Sequence, residues 1–268
     1  MIETAFAKIN LALHVRALRV DGYHELETLF AFVDAGDRLS VQPAPRDELR
    51  TLGEFGQHLN DPFDNIVMKA LTALPRPQGW AVTLEKNLPV AAGLGGGSAD
   101  AGALYRLYDR EYGLPDDWQA RAAKLGADVP ACVRSEMCLG RGIGTELEPV
   151  ENDLAGTPVL LVNPRMPLST GPVFKGWDGV DRGALPGGKA SEIAYAGRND
   201  LEQSAMQQCL LIGEVLSLLD RTGARIARMS GSGATCFALY KDDLALQIAS
   251  DLVREEWGDW WQMAGKLR

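Results

Sequence analysis

The sequence predicts an α+β protein of two domains. Three observations carry this. Segments of period two and period 3.6 mix along the chain without the regular strand–helix–strand alternation of a doubly wound sheet. The 268 residues are enough for two cores of ordinary size. The stretch from Pro149 to Thr157 separates two patterned halves, so an N-terminal domain is expected over 1–150 and a C-terminal domain over 151–268.

The elements follow in order. From Ala7 to Val15 the odd positions are all apolar, while the even positions carry Lys8, Asn10, Ala12 and His14. Period two predicts a strand with one apolar and one polar face. Asp21-Gly22 is a turn, followed by a second strand from Tyr23 to Val33 and a short one from Asp37 to Val41. Asn65 to Leu74 predicts a helix with Asp64 or Asp61 as its cap, and Trp80 to Leu84 a strand. A glycine-rich segment then feeds a helix from Ala99 to about Tyr112, and another helix runs from Asp116-Asp117 to Gly126. Thr157 to Val162 is a strongly apolar strand. Pro172 to Gly197 holds many Gly and Pro and reads as a long loop with short helix at most. Leu201 to Leu219 predicts one amphipathic helix. Arg225 to Met229 and Ala234 to Tyr240 flank a tight Gly-Ser-Gly turn, and Asp243 to Glu256 is the last helix.

Composition narrows the function. With 27 basic and 36 acidic residues the formal charge is −9, which argues against a nucleic-acid partner. No apolar run approaches the ~20 residues of a membrane helix, and residues 1–15 contain no signal-peptide core. The four cysteines form no CxxC pair, which points to reduced thiols and a cytoplasmic location. Net charge does not set local charge, so an acidic chain can still bind polyanions.

The segment with most chemistry is Gly93-Leu-Gly-Gly-Gly-Ser98 before a helix. Glycines let the backbone adopt positive φ and approach a ligand, and the free amides of a helix start favour a phosphate. No Lys follows these glycines, so this is not a P-loop. Ser98 stands where a dinucleotide fold needs its third glycine.

Pro89-x3-Gly93-Leu-Gly-Gly-Gly-Ser98 resembles the phosphate loop of the GHMP kinase superfamily. Ala7-Lys-Ile-Asn-Leu11, Asp21-Gly-Tyr-His24 with Glu27-Thr28, and Gly126-Ala-Asp-Val-Pro130 resemble one branch of it. That branch phosphorylates a cytidine diphosphate-linked methylerythritol in non-mevalonate isoprenoid precursor synthesis. Ser230-Gly-Ser-Gly-Ala-Thr235 resembles the superfamily's C-terminal glycine motif. The matches run in order over roughly residues 5 to 240. The resemblance implies a two-domain GHMP kinase fold with the active-site cleft between the domains. It also implies ATP as co-substrate with Mg²⁺, and a small-molecule acceptor. No nucleic-acid or membrane partner is implied, and the chain is expected as a monomer or weak homodimer.

Roles carry over residue by residue. Lys8 and Asn10 read, by pattern alone, as a solvated strand face ~7 Å apart. The resemblance makes Lys8 the active-site lysine and Asn10 a substrate contact. Asp128 reads locally as a rigid turn before Val129-Pro130. By resemblance it is the catalytic aspartate that takes or orients the proton of the attacking hydroxyl. The ATP site is expected on Pro89, Val90, Ala91, Ala92, Gly93, Leu94, Gly95, Gly96, Gly97, Ser98 and Ala99, with Lys86 and Asn65 near the nucleotide or, read locally, a surface lysine and a helix cap. Ser98 suits a phosphate or metal contact and equally a helix N-cap. The other substrate positions are Tyr23, His24, Thr170 and Phe174. Tyr23 and Phe174 read as core residues from sequence alone and, by resemblance, as rings that clamp a cytosine. Protein ligands of the metal stay open. Ala99 stands where many members have a second serine. Gly102, early in a helix, costs about 1 kcal/mol against Ala. A homoserine- or mevalonate-type kinase would need no aromatic clamp. A silent nucleotide-binding protein would have no use for Lys8 and Asp128.

Overall fold

Alternating apolar residues from Ile2 to Leu18 make one long strand, β1, which pairs with a second long strand, β2 (His24–Ala44). This is a computed structural model that describes residues 1–59, 61 and 64–268. The chain divides into two compact units. One comprises residues 1–8, 35–90 and 95–135; the other comprises 9–34, 91–94 and 136–268. Both long strands and the glycine loop supply residues to each.

The two strands expected at 23–33 and 37–41 are one strand. Gly36 makes this passage possible: a Cβ there would lie 1.9 Å from the Ala5 carbonyl oxygen, so only glycine lets β2 run this close to β1. The polar face expected on β1 is not solvated. Lys8, Asn10, Ala12 and His14 are all buried, as are the apolar residues between them.

In the first unit, Arg38–Ala44 of β2 pairs antiparallel with β4 (Gly79–Glu85), which pairs parallel with β3 (Glu48–Leu52). The short edge strand β3 carries no alternation strong enough to read from sequence. Four helices complete the unit: α1 (Ile66–Ala73), α2 (Gly96–Tyr112), α3 (Trp118–Leu125) and α4 (Val129–Arg134). Leu71, Trp80, Leu84, Leu104 and Tyr105 are among its buried residues. The cap of α1 is Asn65, not Asp61 or Asp64; its Oδ1 accepts the Val67 N–H at 2.9 Å. The expected turn after Asp128 is instead α4. Pro130 sits in its first turn, where a missing N–H costs nothing.

Gly102 has a packing reason. A Cβ there would lie 2.4 Å from the Cys132 carbonyl oxygen, so α2 and α4 touch backbone to backbone. Arg106, one turn on, fixes α4 in place. Its guanidinium donates to Cys132 O (2.6 Å), Ser135 Oγ (2.8 Å), Thr4 O (2.7 Å) and Glu3 (3.0 Å).

In the second unit, Leu26–Phe30 of β2 pairs with β5 (Cys138–Gly142), and β5 with β6 (Glu146–Pro149). A separate antiparallel sheet has the order β10-β7-β9-β8, built from β7 (Pro158–Asn163), β8 (Ile226–Met229), β9 (Cys236–Leu239) and β10 (Trp261–Lys266). Every residue of β7 is buried. The long loop holds α5 (Thr170–Lys175) and α6 (Ala190–Ala196). The single helix expected over 201–219 is two, α7 (Glu202–Gln208) and α8 (Leu211–Arg221), broken where Cys209 turns extended. The break leaves Leu210 exposed and sets Ile212, Val215 and Leu219 into the core with Leu160, Val162 and, from α9 (Asp243–Glu256), Val253. All four cysteines are free and buried. Among the described residues no helix is long and apolar enough to cross a membrane.

Candidate active site

The glycine loop owes its shape to positive φ at Ala91 (52°), Gly93 (77°) and Gly95 (59°). Ala91 is the one non-glycine of the three, a strained position of the kind that concentrates at ligand sites. Gly95 is the N-cap of α2 and no side chain caps that helix. Its first amides therefore have no intrahelical acceptor and form a ready site for an anion. Ser98 lies in the first turn of α2 and is not its cap.

Within the first unit, the loop meets the two residues expected to do chemistry. Lys8 Nζ stands 3.1 Å from Asp128 Oδ2, with the lysine side chain 5 % exposed and the aspartate 32 %. A Cβ at Gly95 would lie 2.9 Å from Lys8 Cε and 3.7 Å from Asp128 Oδ2. Glycine is required at 95 twice over, for its φ and for this contact. The pair is thus a buried ammonium holding a partly open carboxylate beside Gly95, the N-cap of α2. Ser98 Oγ faces Gly126, two residues before Asp128.

Lys86 and Asn65 both have partners within the protein. The Asn65 amide oxygen is spent on α1. Lys86 is 2 % exposed, and its ammonium donates to Asp37 and, at 2.8 Å, to Asp100. Burial alone would pull Lys86 down, but Asp100 and Asp37 outweigh it and raise it. Burial pushes the Asp100 carboxyl well above the usual carboxylate range; Lys86 opposes this and Asp37 reinforces it. Neither aspartate was legible as a site residue. The one signal for Asp100 is a carboxylate in the Ala-rich first turns of α2.

Within the second unit, the C-terminal glycine motif supports the middle of the loop. Ser230 Oγ donates to the Gly93 carbonyl at 2.8 Å and accepts the Asn10 N–H at 3.2 Å. The Asn10 amide donates to Thr28 Oγ1 at 2.8 Å. A Cβ at Gly93 would meet the Ser230 carbonyl at 2.2 Å. Thr170 and Ser232 share a hydrogen bond of 3.0 Å between their hydroxyls. Aromatic side chains gather around His24. Phe174 packs on His24 (centroids 5.2 Å), and Trp177 meets His24 edge-on at 5.6 Å, while Tyr23 is 62 % exposed. Burial lowers His24 below its ordinary value. Trp177 was missed because its three-residue spacing from Phe174 lies in a segment without visible periodicity.

The described residues contain no cluster of three or more His, Cys, Asp or Glu able to hold a metal. Ser98 and Asp128 are nonetheless oxygen donors beside the loop, the donor chemistry Mg²⁺ takes when phosphates supply the rest of its shell.

Known proteins resemble this chain over nearly its whole length. Residues 65–136 match the family description "GHMP kinases N terminal domain" and residues 187–259 match "GHMP kinases C terminal". A 4-diphosphocytidyl-2-C-methyl-D-erythritol kinase of Novosphingobium aromaticivorans is 67 % identical over 99 % of this chain and 92 % of its own. One of Erythrobacter litoralis is 60 % identical over 99 % of both. A solved structure of a 4-(cytidine 5'-diphospho)-2C-methyl-D-erythritol kinase superposes with a TM-score of 0.80 at 33 % identity, covering 100 % of this chain and 99 % of that one. A homoserine kinase from Cytophaga hutchinsonii shares the fold, with a TM-score of 0.69 at 15 % identity over 99 % of this chain and 94 % of that one.

Proposed function

The chain belongs to the 4-diphosphocytidyl-2-C-methyl-D-erythritol kinases, a branch of the GHMP kinases, and from that membership we propose how its residues carry the reaction. It is an ATP-dependent kinase of the non-mevalonate isoprenoid route, and its acceptor is the 2-hydroxyl of 4-diphosphocytidyl-2-C-methyl-D-erythritol. The observation that carries the mechanism is the Lys8–Asp128 pair packed against Gly95.

The triphosphate lies on the loop from Pro89 to Ala99, with backbone N–H groups between Val90 and Ser98 at the start of α2 as the donors. Asp128 accepts the proton of the attacking hydroxyl. As it does so, the acceptor oxygen bonds to the γ-phosphorus and the bond from that phosphorus to the β–γ bridging oxygen breaks. The products are the 2-phosphate and ADP, and the proton passes from Asp128 to solvent. Lys8 fixes the Asp128 carboxylate and offsets negative charge that builds on the transferring group. Positioning and electrostatics supply most of the rate. Mg²⁺ would neutralise phosphate charge when bound, with Ser98 the protein oxygen suited to hold it.

Asn10 and Thr170 serve the acceptor. His24 and Phe174 form an aromatic wall for its cytosine, and Tyr23, being exposed, is free to close over the base. Asn65 and Lys86 serve the nucleotide through the elements they hold. The two family matches fall on either side of residue 150, while the compact units interleave, residues 9–34 and 91–94 grouping with 136–268. Four reduced thiols fit a cytoplasmic enzyme, active as a monomer or weak homodimer.

The test is ADP release by purified protein with ATP and Mg²⁺, offering the cytidyl substrate, homoserine or mevalonate in parallel. Turnover with the cytidyl substrate alone is expected. Turnover with a small alcohol instead would refute the aromatic wall and the acceptor with it.

A further inference from the structure

The glycine loop has two ends, and one buried cluster grips both. Asp37, on β2 and fully buried, accepts the N–H of Asn87 at 2.6 Å and of Leu88 at 2.8 Å. These two residues lead directly into Pro89. Its other carboxylate oxygen accepts from the Lys86 ammonium. Lys86 reaches across to Asp100 at 2.8 Å, one turn into α2 where the loop ends. The ammonium also lies under the loop itself: a Cβ at Gly96 would stand 3.3 Å from Lys86 Nζ and 3.8 Å from Asp37 Oδ2.

We propose that Asp37, Lys86 and Asp100 are positioning residues that clamp the two ends of the phosphate loop at a fixed separation and so set its affinity for the nucleotide. This rests on the nucleotide-binding role of the loop given above. Two carboxylates around one ammonium would leave a net negative charge buried, which is costly. Burial drives the Asp100 carboxyl toward its neutral form, which lowers that cost. Its Oδ1 is buried with no hydrogen-bond partner, which a carboxylic acid tolerates better than a carboxylate. The lysine ammonium is held between one oxygen of Asp37 and one of Asp100. It acts on ATP through the backbone it holds and not by touching it.

The test uses the full chain with Asp37→Ala, Lys86→Met, Asp100→Ala and Asp100→Asn. ATP affinity is measured by calorimetry, and KM for each substrate and kcat by ADP release. Asp37→Ala, Lys86→Met and Asp100→Ala are each expected to weaken ATP binding at least about tenfold, the size of a lost hydrogen bond to a charged group. The acceptor KM should stay within about twofold. Asp100→Asn, whose amide oxygen still accepts from Lys86, should recover most of the loss. A rise in ATP KM for Lys86→Met alone, with both alanine variants like wild type, would overturn the clamp in favour of direct contact. Proportional losses in both substrates would overturn it as well, since they report general unfolding. Should Asp37→Ala not fold, Asp37→Asn keeps the acceptor for residues 87 and 88 but loses the charge facing Lys86. Wild-type ATP affinity in that variant would count against the proposal. Wild-type protein that binds ATP, loses that binding in the variants and yet turns over no acceptor would support the clamp and refute the assigned substrate.

Discussion

Replacing Gly102 by Ala sets two effects of opposite sign against each other. Ala is the better helix former by about 1 kcal/mol, and on propensity alone the variant should be more stable. The packing says otherwise. The new Cβ would lie 2.4 Å from the Cys132 carbonyl oxygen, 2.5 Å from its carbon and 2.9 Å from its Cβ. Ordinary contact needs roughly 3.5 Å, so α2 and α4 must part by about 1 Å. These are mostly backbone atoms and have no rotamer to change. Arg106 also holds α4 to α2 and to Thr4 through the same Cys132 carbonyl. Overpacking of this kind costs about 1–3 kcal/mol, at the upper end where the neighbours are rigid. We expect a net loss of about 1–2 kcal/mol in urea unfolding. Because Asp128 is the N-cap of α4, kcat should fall with it. A variant as stable as wild type or more so, with unchanged kcat, would refute the reasoning.

Other outcomes follow from the same geometry. Ser230→Ala strips the Gly93 carbonyl and the Asn10 N–H of a buried partner, so it should cost about 1–3 kcal/mol in urea unfolding and raise the ATP KM; an unchanged ATP KM would remove Ser230 from the loop's support. Phe174→Ala should raise the KM of the cytidyl acceptor about 2- to 10-fold, the worth of one aromatic contact, and leave ATP alone; equal shifts for both substrates would contradict the aromatic wall. His14 is buried and its folded value lies below the ordinary one, chiefly through burial, opposed by its contact with the Gly183 carbonyl. The unfolded chain then takes the proton more readily. The stability tied to neutral His14 is therefore present above about pH 6.5 and lost as pH falls below it. His24, also lowered by burial, adds in the same direction. The urea midpoint should drop between about pH 7 and pH 5.5, and by less in His14→Gln. Equal slopes in the two proteins would show that His14 does not contribute.

Much of the site was legible because phosphate chemistry writes itself locally. A glycine run before a helix needs only adjacent residues, and Lys8 and Asp128 each sit in a short motif. Their contact is the step no local pattern supplies, since it joins β1 to the start of α4. The same limit hid the clamp: Lys86 meets Asp37 across 49 positions and Asp100 across 14. Periodicity named the strand holding Lys8 correctly but misjudged its polar face. A polar face is solvated only where nothing packs on it, and here both faces are covered. The edge strands β3, β6 and β10 were missed because edge strands need little alternation, and β5 because Gly140 and Gly142 leave it little pattern to read. Helix α4 was missed because six residues cannot show a period of 3.6 and Pro130 masks its first turn. Gly102 looked like a defect in sequence and is a close contact in three dimensions.

The most direct measurement is single-turnover transfer from ATP to the cytidyl acceptor by wild type and Asp128→Asn, with ATP affinity determined in the same samples. Loss of general-base assistance should slow transfer by about 10²- to 10⁴-fold while ATP affinity stays within about twofold. Transfer at the wild-type rate in Asp128→Asn would contradict the assignment of Asp128 as the proton acceptor.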